Sequence, residues 1–248
     1  MAIIGIVGGT GMEGFLPGFA PAAGEATYHV NGTPFSLQIP HLRGEAGPHQ
    51  VLYLNRHDFA QPPHHRPDTI HAKAYMSFFR QQGAGNVLAT SAVGSAHLHI
   101  PPGMLVIPSD YMDFTNSDVS LDEGAQYSGM EEPFPLRRYL LRAAEGDKEV
   151  TTHGTYVLFK KGPAFETREE VAFLGGLAGR HPLLLGMTVP QEAMLARSLG
   201  MAYGCVAVVT NFAAGMGDPI SHEGNKDVFA SAIPRVQRIL RATIDLIE

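Results

Sequence analysis

Short apolar runs alternate with segments of helical periodicity along the whole chain. IIGIV (3–7), VLYLN (51–55), NVLATSAV (86–93), MLVIP (104–108), TYVLF (155–159), LLLGM (183–187) and YGCVAVVTN (203–211) predict strands, with FSLQI (35–39) a further candidate. Several are apolar at every position rather than at alternate ones, which predicts strands covered on both faces. Helical patterning covers 71–83, 166–179, 190–200 and 227–247. The first and third end at glycine, a common helix stop. Pro234 is expected to kink the last helix or to mark its true start.

No linker, repeat or low-complexity segment interrupts this alternation. The pattern predicts an α/β fold in which residues 1–248 form one domain, a mixed central sheet flanked by helices. Ligands of such folds collect at the carboxyl ends of strands, so the polar residues that follow the apolar runs are the first candidates for chemistry.

The first of those ends carries Gly9, Gly11 and Gly14 in the spacing G-x-G-x-x-G. A dinucleotide fingerprint also needs a helix opening at the third glycine and an acidic residue some 20 positions on. Here GFLPGFAPAAG follows, with Pro17 and Pro21, and FSLQI does not end in Asp or Glu. An NAD-dependent oxidoreductase is therefore the distant alternative. A turn at Gly8-Gly9-Thr10-Gly11 that holds one small anion on backbone N–H groups and a hydroxyl fits better.

Composition narrows the function further. The net charge is −6 with no run of Lys or Arg, which argues against a nucleic-acid surface. No apolar run approaches a bilayer-spanning length, and the N-terminal run lacks the basic flank of a signal peptide. A single cysteine, Cys205, sits in an apolar run and reads as a buried structural thiol; a chain with no possible internal disulfide suits the cytoplasm. The pairs His64-His65 and His97-x-His99 lack the helical spacing and neighbouring ligands of a zinc site, so no metal is expected. FAQPPHHRPD, which holds the first pair, reads as a Pro-rich loop able to cover a site.

Anion donors recur at four predicted strand ends. Arg56 and His57 directly follow VLYLN, Ser91 follows NVLAT, and Thr188 follows LLLGM, beside Thr10 after the first strand. Arginine offers phosphate a two-pronged fork.

With these residues in view, the chain resembles the trimeric purine nucleoside phosphorylases and methylthioadenosine phosphorylases. GIVGGTG, LNRH, ATSAVGS, KGPAFET, GMTVPQEAMLA and VVTNFAAG stand in that family's order over nearly the whole chain. The resemblance implies the nucleoside phosphorylase fold, a homotrimer and no cofactor, with inorganic phosphate as co-substrate. The implied partners are a purine nucleoside and phosphate, with no nucleic acid and no membrane. The implied reaction is attack of phosphate on the anomeric carbon through an oxocarbenium-like transition state, releasing the base and a ribose 1-phosphate. The protein's part is to position phosphate and stabilise the departing purine.

Carried over by motif, Thr10, Arg56, His57, Ser91 and Thr188 are expected to hold phosphate. Ala92 and Met187 are expected to line purine and ribose, Phe165 to pack on the base, and Glu166 and Asn211 to read its edge. A 6-oxopurine presents N1–H, which an ionised Glu166 accepts, whereas a 6-aminopurine turns a bare acceptor toward it. Asn211 is suited to donate to O6 and accept from N7–H. The adenine-type relatives have Asp at the positions of Asn211 and Ala213 and commonly a small hydroxyl residue at Glu166, so hypoxanthine or guanine nucleosides are expected. His222 stands near the position where ordinary nucleoside phosphorylases keep a histidine for the 5'-hydroxyl. Against that, adjacent Arg56-His57 resembles the methylthio branch, and 5'-methylthioinosine or 5'-methylthioadenosine remains the alternative substrate.

Overall fold

The computed structural model describes residues 1–9, 18–59, 70–122, 131–178, 181–217 and 222–248, with the backbone alone for 59, 178 and 222–226. Thr10 and the segment around His64 and His65 lie outside the described residues.

The described residues form one α/β domain. The strands are β1 (Ile3–Gly8), β2 (Ala20–Val30), β3 (Thr33–Ala46), β4 (His49–Asn55), β5 (Asn86–Ser95), β6 (Leu105–Val106), β7 (Asp110–Asp113), β8 (Val150–Thr151), β9 (Thr155–Leu158), β10 (Leu183–Leu185) and β11 (Ala202–Phe212). The helices are α1 (Ala72–Gln81), α2 (Arg137–Ala143), α3 (Arg168–Ala178), α4 (Val189–Ser198) and α5 (His222–Leu246), and a single 3-10 turn covers Arg56–Phe59.

All eleven strands join one mixed sheet, ordered β2-β3-β4-β1-β5-β10-β9-β7, with β11 also on β5 and on β6. β1 pairs in parallel with β4 and β5, and β5 in parallel with β11. The carboxyl ends of these four strands therefore lie along one edge. β10 returns antiparallel on the last residues of β5, Leu185 opposite Gly94. Residues after β10 are thus carried back alongside the middle of β5.

The uninterrupted apolar runs follow from burial on both faces. In β11, Cys205, Ala207 and Val209 face α1 and α4, while Val206 and Val208 pack with α2 and α5. β1 divides likewise, Val7 to the first layer and Ile4 and Ile6 to the second. A third cluster joins Val171 and Leu174 of α3 to Val157, Leu183, Leu185 and Ala213.

Glycine ends two helices as the sequence predicts. Gly83 (φ 82°) and Gly200 (φ 70°) follow α1 and α4. The N–H of Ala84 reaches back to Phe79 O at 2.9 Å, and that of Met201 to Ala196 O at 2.8 Å, the closing bond of a Schellman motif.

Four expectations need correction. FSLQI is only part of the first half of β3, which pairs with β2 as a long hairpin turned at Asn31 (φ 51°) and Gly32 (φ 74°). Positive φ at both central residues is the two-residue turn that Asn-Gly favours, and the Asp122 carboxylate accepts both N–H groups at 2.9 and 2.6 Å. The strand expected over 104–108 is reduced to Leu105–Val106. The last helix starts at His222 and runs through Pro234, so the proline does not mark its start. Ser91 is not at a strand end: β5 continues to Ser95, where β10 and β11 extend its pairing.

Candidate active site

Arg56 directly follows β4 and is 2% exposed. Its Nε and Nη2 donate to the two oxygens of Glu192 at 2.8 and 3.2 Å, and its Nη1 donates to Thr90 O at 2.7 Å. A Cβ at Gly9 would lie 2.6 Å from Nη1, so the end of β1 rests directly on the guanidinium. Glycine is needed there for close approach, which is a physical use for part of the opening glycine pattern.

Glu192, in the first turn of α4, is fully buried. Tyr75 donates to its Oε1 at 2.8 Å and Tyr203 to its Oε2 at 2.6 Å. A buried ion pair is costly unless its leftover lone pairs are filled, and here two phenols fill them. Burial pushes the Arg56 guanidinium down, but the charge and hydrogen bond of Glu192, together with Tyr75 and Tyr203, outweigh it and hold the group above its ordinary value. Burial first, then the charge of Glu192, pushes both phenols well above theirs. Of the five N–H groups of Arg56, Glu192 and Thr90 engage three, one on each Nη lies outside those bonds, and the Tyr75 hydroxyl also lies within hydrogen-bonding reach of the guanidinium.

A second hydroxyl cluster lies one residue on from Thr90. The Tyr156 hydroxyl and Ser91 Oγ share a hydrogen bond of 2.9 Å, and Ser91 Oγ donates to Ala92 O at 3.3 Å. The Thr188 N–H donates to the Tyr156 hydroxyl at 3.5 Å. Tyr156 therefore ties Ser91 on β5 to Thr188 at the start of α4. Burial raises the Tyr156 phenol, opposed by its bond to Ser91, so it stays a neutral donor and acceptor.

The geometry brings Arg56, Ser91 and Thr188 into one neighbourhood beside the end of β1. His57 is half-buried on the 3-10 turn, its N–H on Asn55 Oδ1 at 3.1 Å. Met187 and Thr188 are half-buried just beyond β10, and Ala92 is half-buried on the opposite face of β5 from Ser91. The side chain of His222 lies outside the described residues; its backbone begins α5.

Glu166 stands outside its helix. α3 opens at Arg168, and the reciprocal cap is made by Thr167 and Glu170: Thr167 N–H donates to Glu170 Oε2 at 2.7 Å, and Glu170 N–H to Thr167 Oγ1 at 3.3 Å. That is a capping box, and it leaves Glu166 without a capping task. The Glu166 carboxyl is buried, and its Oε1 has no hydrogen-bond partner among the described residues. Burial raises its pKa above the ordinary carboxylate value, against the attraction of Lys160. Phe165 beside it is 51% exposed.

Asn211 is set by an irregularity in β11. Val209 is opposite Val93 and Asn211 opposite Gly94, so Thr210 is the extra residue of a bulge. Asn211 Oδ1 accepts from Thr210 Oγ1 at 2.9 Å, and its Nδ2 donates to Phe212 O at 2.8 Å. One lone pair on Oδ1 and one N–H on Nδ2 are left, as a purine N7–H and O6 require. Ala213, buried, packs with Val171 and Leu174 of α3, which draws the Asn211 loop toward the α3 end that carries Glu166.

Sequence reasoning missed Glu192, Tyr75, Tyr203 and Tyr156. The three tyrosines read as core aromatics. Glu192 carried a signal, a lone acid within the apolar helical segment PQEAMLA.

The arrangement is thus an α/β sheet edge that gathers an arginine fork and two hydroxyls, with a buried carboxyl just before α3 whose Oε1 is unpartnered among the described residues. The chain matches the family model described as the Phosphorylase superfamily over residues 4–245. It belongs to that superfamily, among the purine nucleoside and methylthioadenosine phosphorylases, and as a nucleoside phosphorylase it is a pentosyltransferase. It is 33% identical to a probable S-methyl-5'-thioinosine phosphorylase of Methanopyrus kandleri, over 88% of this chain and 82% of that protein. It is 32% identical to the 6-oxopurine nucleoside phosphorylase of Pyrococcus furiosus, over 100% of this chain and 94% of that protein. The fold is similar to that of a methylthioadenosine phosphorylase of Schistosoma mansoni in complex with adenine, with a TM-score of 0.79, 24% identity, and 99% and 92% of the two chains covered. No helix among the described residues is long and apolar enough to cross a membrane.

Proposed function

We propose that this enzyme cleaves 6-oxopurine nucleosides, inosine and guanosine, by phosphorolysis, giving the free base and ribose 1-phosphate. The observation that carries the reading is Glu166, a buried carboxyl whose Oε1 is unpartnered among the described residues. An ionised carboxylate there accepts the N1–H of a 6-oxopurine and repels the bare N1 of adenine.

Thr10, Arg56, His57, Ser91 and Thr188 hold phosphate below the sugar. Arg56 supplies the two N–H groups that Glu192 and Thr90 do not take. Ser91 turns its hydroxyl hydrogen from the long bond on Ala92 O toward phosphate. A phosphate oxygen attacks the anomeric carbon, the glycosidic bond breaks, and its electron pair leaves with the purine, which takes a proton from water at N7. Asn211 accepts that N7–H and donates to O6, which spreads the developing negative charge. Phe165 packs on the base, Ala92, Met187 and Ala213 line the pocket, and His222 meets the 5'-hydroxyl.

A second reading keeps the base and changes the sugar. Adjacent Arg56-His57, together with 33% identity to the Methanopyrus kandleri protein, favours 5'-methylthioinosine. Both readings share Glu166 and Asn211. Phosphate-dependent base release from inosine, guanosine, 5'-methylthioinosine and 5'-methylthioadenosine separates them. Fastest release from inosine or guanosine supports the first, and from 5'-methylthioinosine the second. Preference for 5'-methylthioadenosine overturns both.

The working form is proposed as a homotrimer, in line with the family resemblance. Phe173 and Leu177, exposed and one turn apart on α3, offer apolar surface for a second copy. Sedimentation showing a stable monomer would overturn this.

A further inference from the structure

We propose that Glu192, backed by Tyr75 and Tyr203, is a positioning residue for phosphate capture: it fixes the direction in which Arg56 presents the two N–H groups that Glu192 and Thr90 do not take. The inference rests on the reading of Arg56 as a phosphate ligand.

The carboxylate has four strong acceptor directions, and each is filled. Oε1 takes Arg56 Nε at 2.8 Å and the Tyr75 hydroxyl at 2.8 Å. Oε2 takes Arg56 Nη2 at 3.2 Å and the Tyr203 hydroxyl at 2.6 Å. The donors come from the start of the 3-10 turn, from α1 and from β11, and the acceptor from α4. The carboxylate cannot turn without breaking bonds to three separate elements, and the guanidinium it grips along one side cannot turn either. The bond from Nη1 to Thr90 O pins the other side. The N–H groups that Glu192 and Thr90 do not take, one on each Nη, lie beside the end of β1, where Gly9 closely approaches Nη1.

A buried ion pair needs its leftover lone pairs filled, and the two phenols fill those of Glu192. Two phenols that bond the carboxylate do something further. They draw part of its charge to themselves, so Arg56 keeps donor strength for a dianion. They also keep Glu192 from following Arg56 toward the ligand. Preorganised donors of this kind lower the reorganisation needed on binding.

The test uses Tyr75→Phe, Tyr203→Phe and Glu192→Gln in the full-length enzyme. Phosphate KM is measured at saturating nucleoside and nucleoside KM at saturating phosphate. Each Tyr→Phe variant is expected to raise phosphate KM on the order of tenfold, and nucleoside KM by less than about twofold, since each loses one bond to a charged group. The rise in melting temperature on adding inorganic phosphate should shrink in parallel. In an Arg56→Lys background, which keeps the charge but not the fork, adding Tyr203→Phe should move phosphate KM by less than about twofold. Unchanged phosphate KM in folded Tyr→Phe variants, equal rises in both KM values, or full additivity with Arg56→Lys would overturn the proposal. Should Glu192→Gln fail to fold, the two tyrosine variants still decide. Failure of the underlying reading looks different: base release by the unmodified enzyme would then not depend on phosphate, or phosphate KM would ignore Arg56→Lys.

Discussion

Gly186 has no side chain because the hydroxyl of Tyr156 occupies the place where one would be. A Cβ there would fall well inside contact distance of the Tyr156 hydroxyl and Cζ. Tyr156 is fully buried against α4 and the sheet, so the ring has no free volume to retreat into. Gly186→Ala is therefore expected to lower stability by about 1–3 kcal/mol, the usual range for overpacking. It should also raise phosphate KM, because the displaced hydroxyl leaves Ser91 and Thr188. Urea unfolding and phosphate kinetics check the two effects. Tyr156→Phe should reproduce the kinetic effect with a smaller loss of stability, about 1 kcal/mol for one hydrogen bond.

Gly94 bears a similar relation to Asn211. A Cβ at Gly94 would lie 3.0 Å from Asn211 Nδ2. Gly94→Ala should therefore turn the amide and disturb the group proposed to meet N7 and O6, while the hydroxyl cluster of Ser91 and Tyr156, proposed to serve phosphate, is left in place. The expected outcome is a fall in kcat on the order of tenfold with phosphate KM little changed. A matching rise in phosphate KM instead would assign Gly94 to the anion site.

Much of the fold was legible because the parallel strands β1, β4, β5 and β11 are buried on both faces and leave solid apolar runs. The β2–β3 hairpin was harder. Its residues alternate between exposed positions and buried or half-buried ones, with Pro21, Pro34 and Pro40 among them, and only FSLQI stood out. The Asn31-Gly32 pair did carry the turn. α2 gave no periodic signal because only Leu140 within it is buried. At the site, residues that offer donors from strand ends could be read one by one. The groups that hold them could not: Glu192 meets Arg56 from 136 positions away, and Tyr156 reads as one more aromatic in TYVLF. Contacts between distant segments have no periodicity to betray them.

Cys205 tests the buried side of the sheet. It is 1% exposed, and burial pushes its thiol up, well above its ordinary value. The thiolate is the reactive form, so the native enzyme should resist a thiol reagent such as dithionitrobenzoate and react fully once unfolded. Stoichiometric labelling of the folded enzyme at neutral pH would contradict this placement.

The proposed role of Glu166 links base choice to pH. Its carboxyl must be ionised to accept N1–H, and burial raises its pKa above the ordinary value of 4.5, with Lys160 opposing the shift. Activity on inosine at saturating phosphate should therefore fall on acidification through a pKa higher than that of a free carboxyl. For stability the sign is opposite. The folded state binds this proton more tightly than the unfolded chain, so the contribution is fully present below pH 4.5 and is lost as pH rises through the raised value. Glu166→Gln removes the acidic limb of the activity profile and this stability dependence together. It should also cut kcat/KM for inosine by one to two orders of magnitude, on the order of one charged hydrogen bond, and leave phosphate KM near that of the unmodified enzyme. An unchanged acidic limb in Glu166→Gln would remove this carboxyl from base recognition.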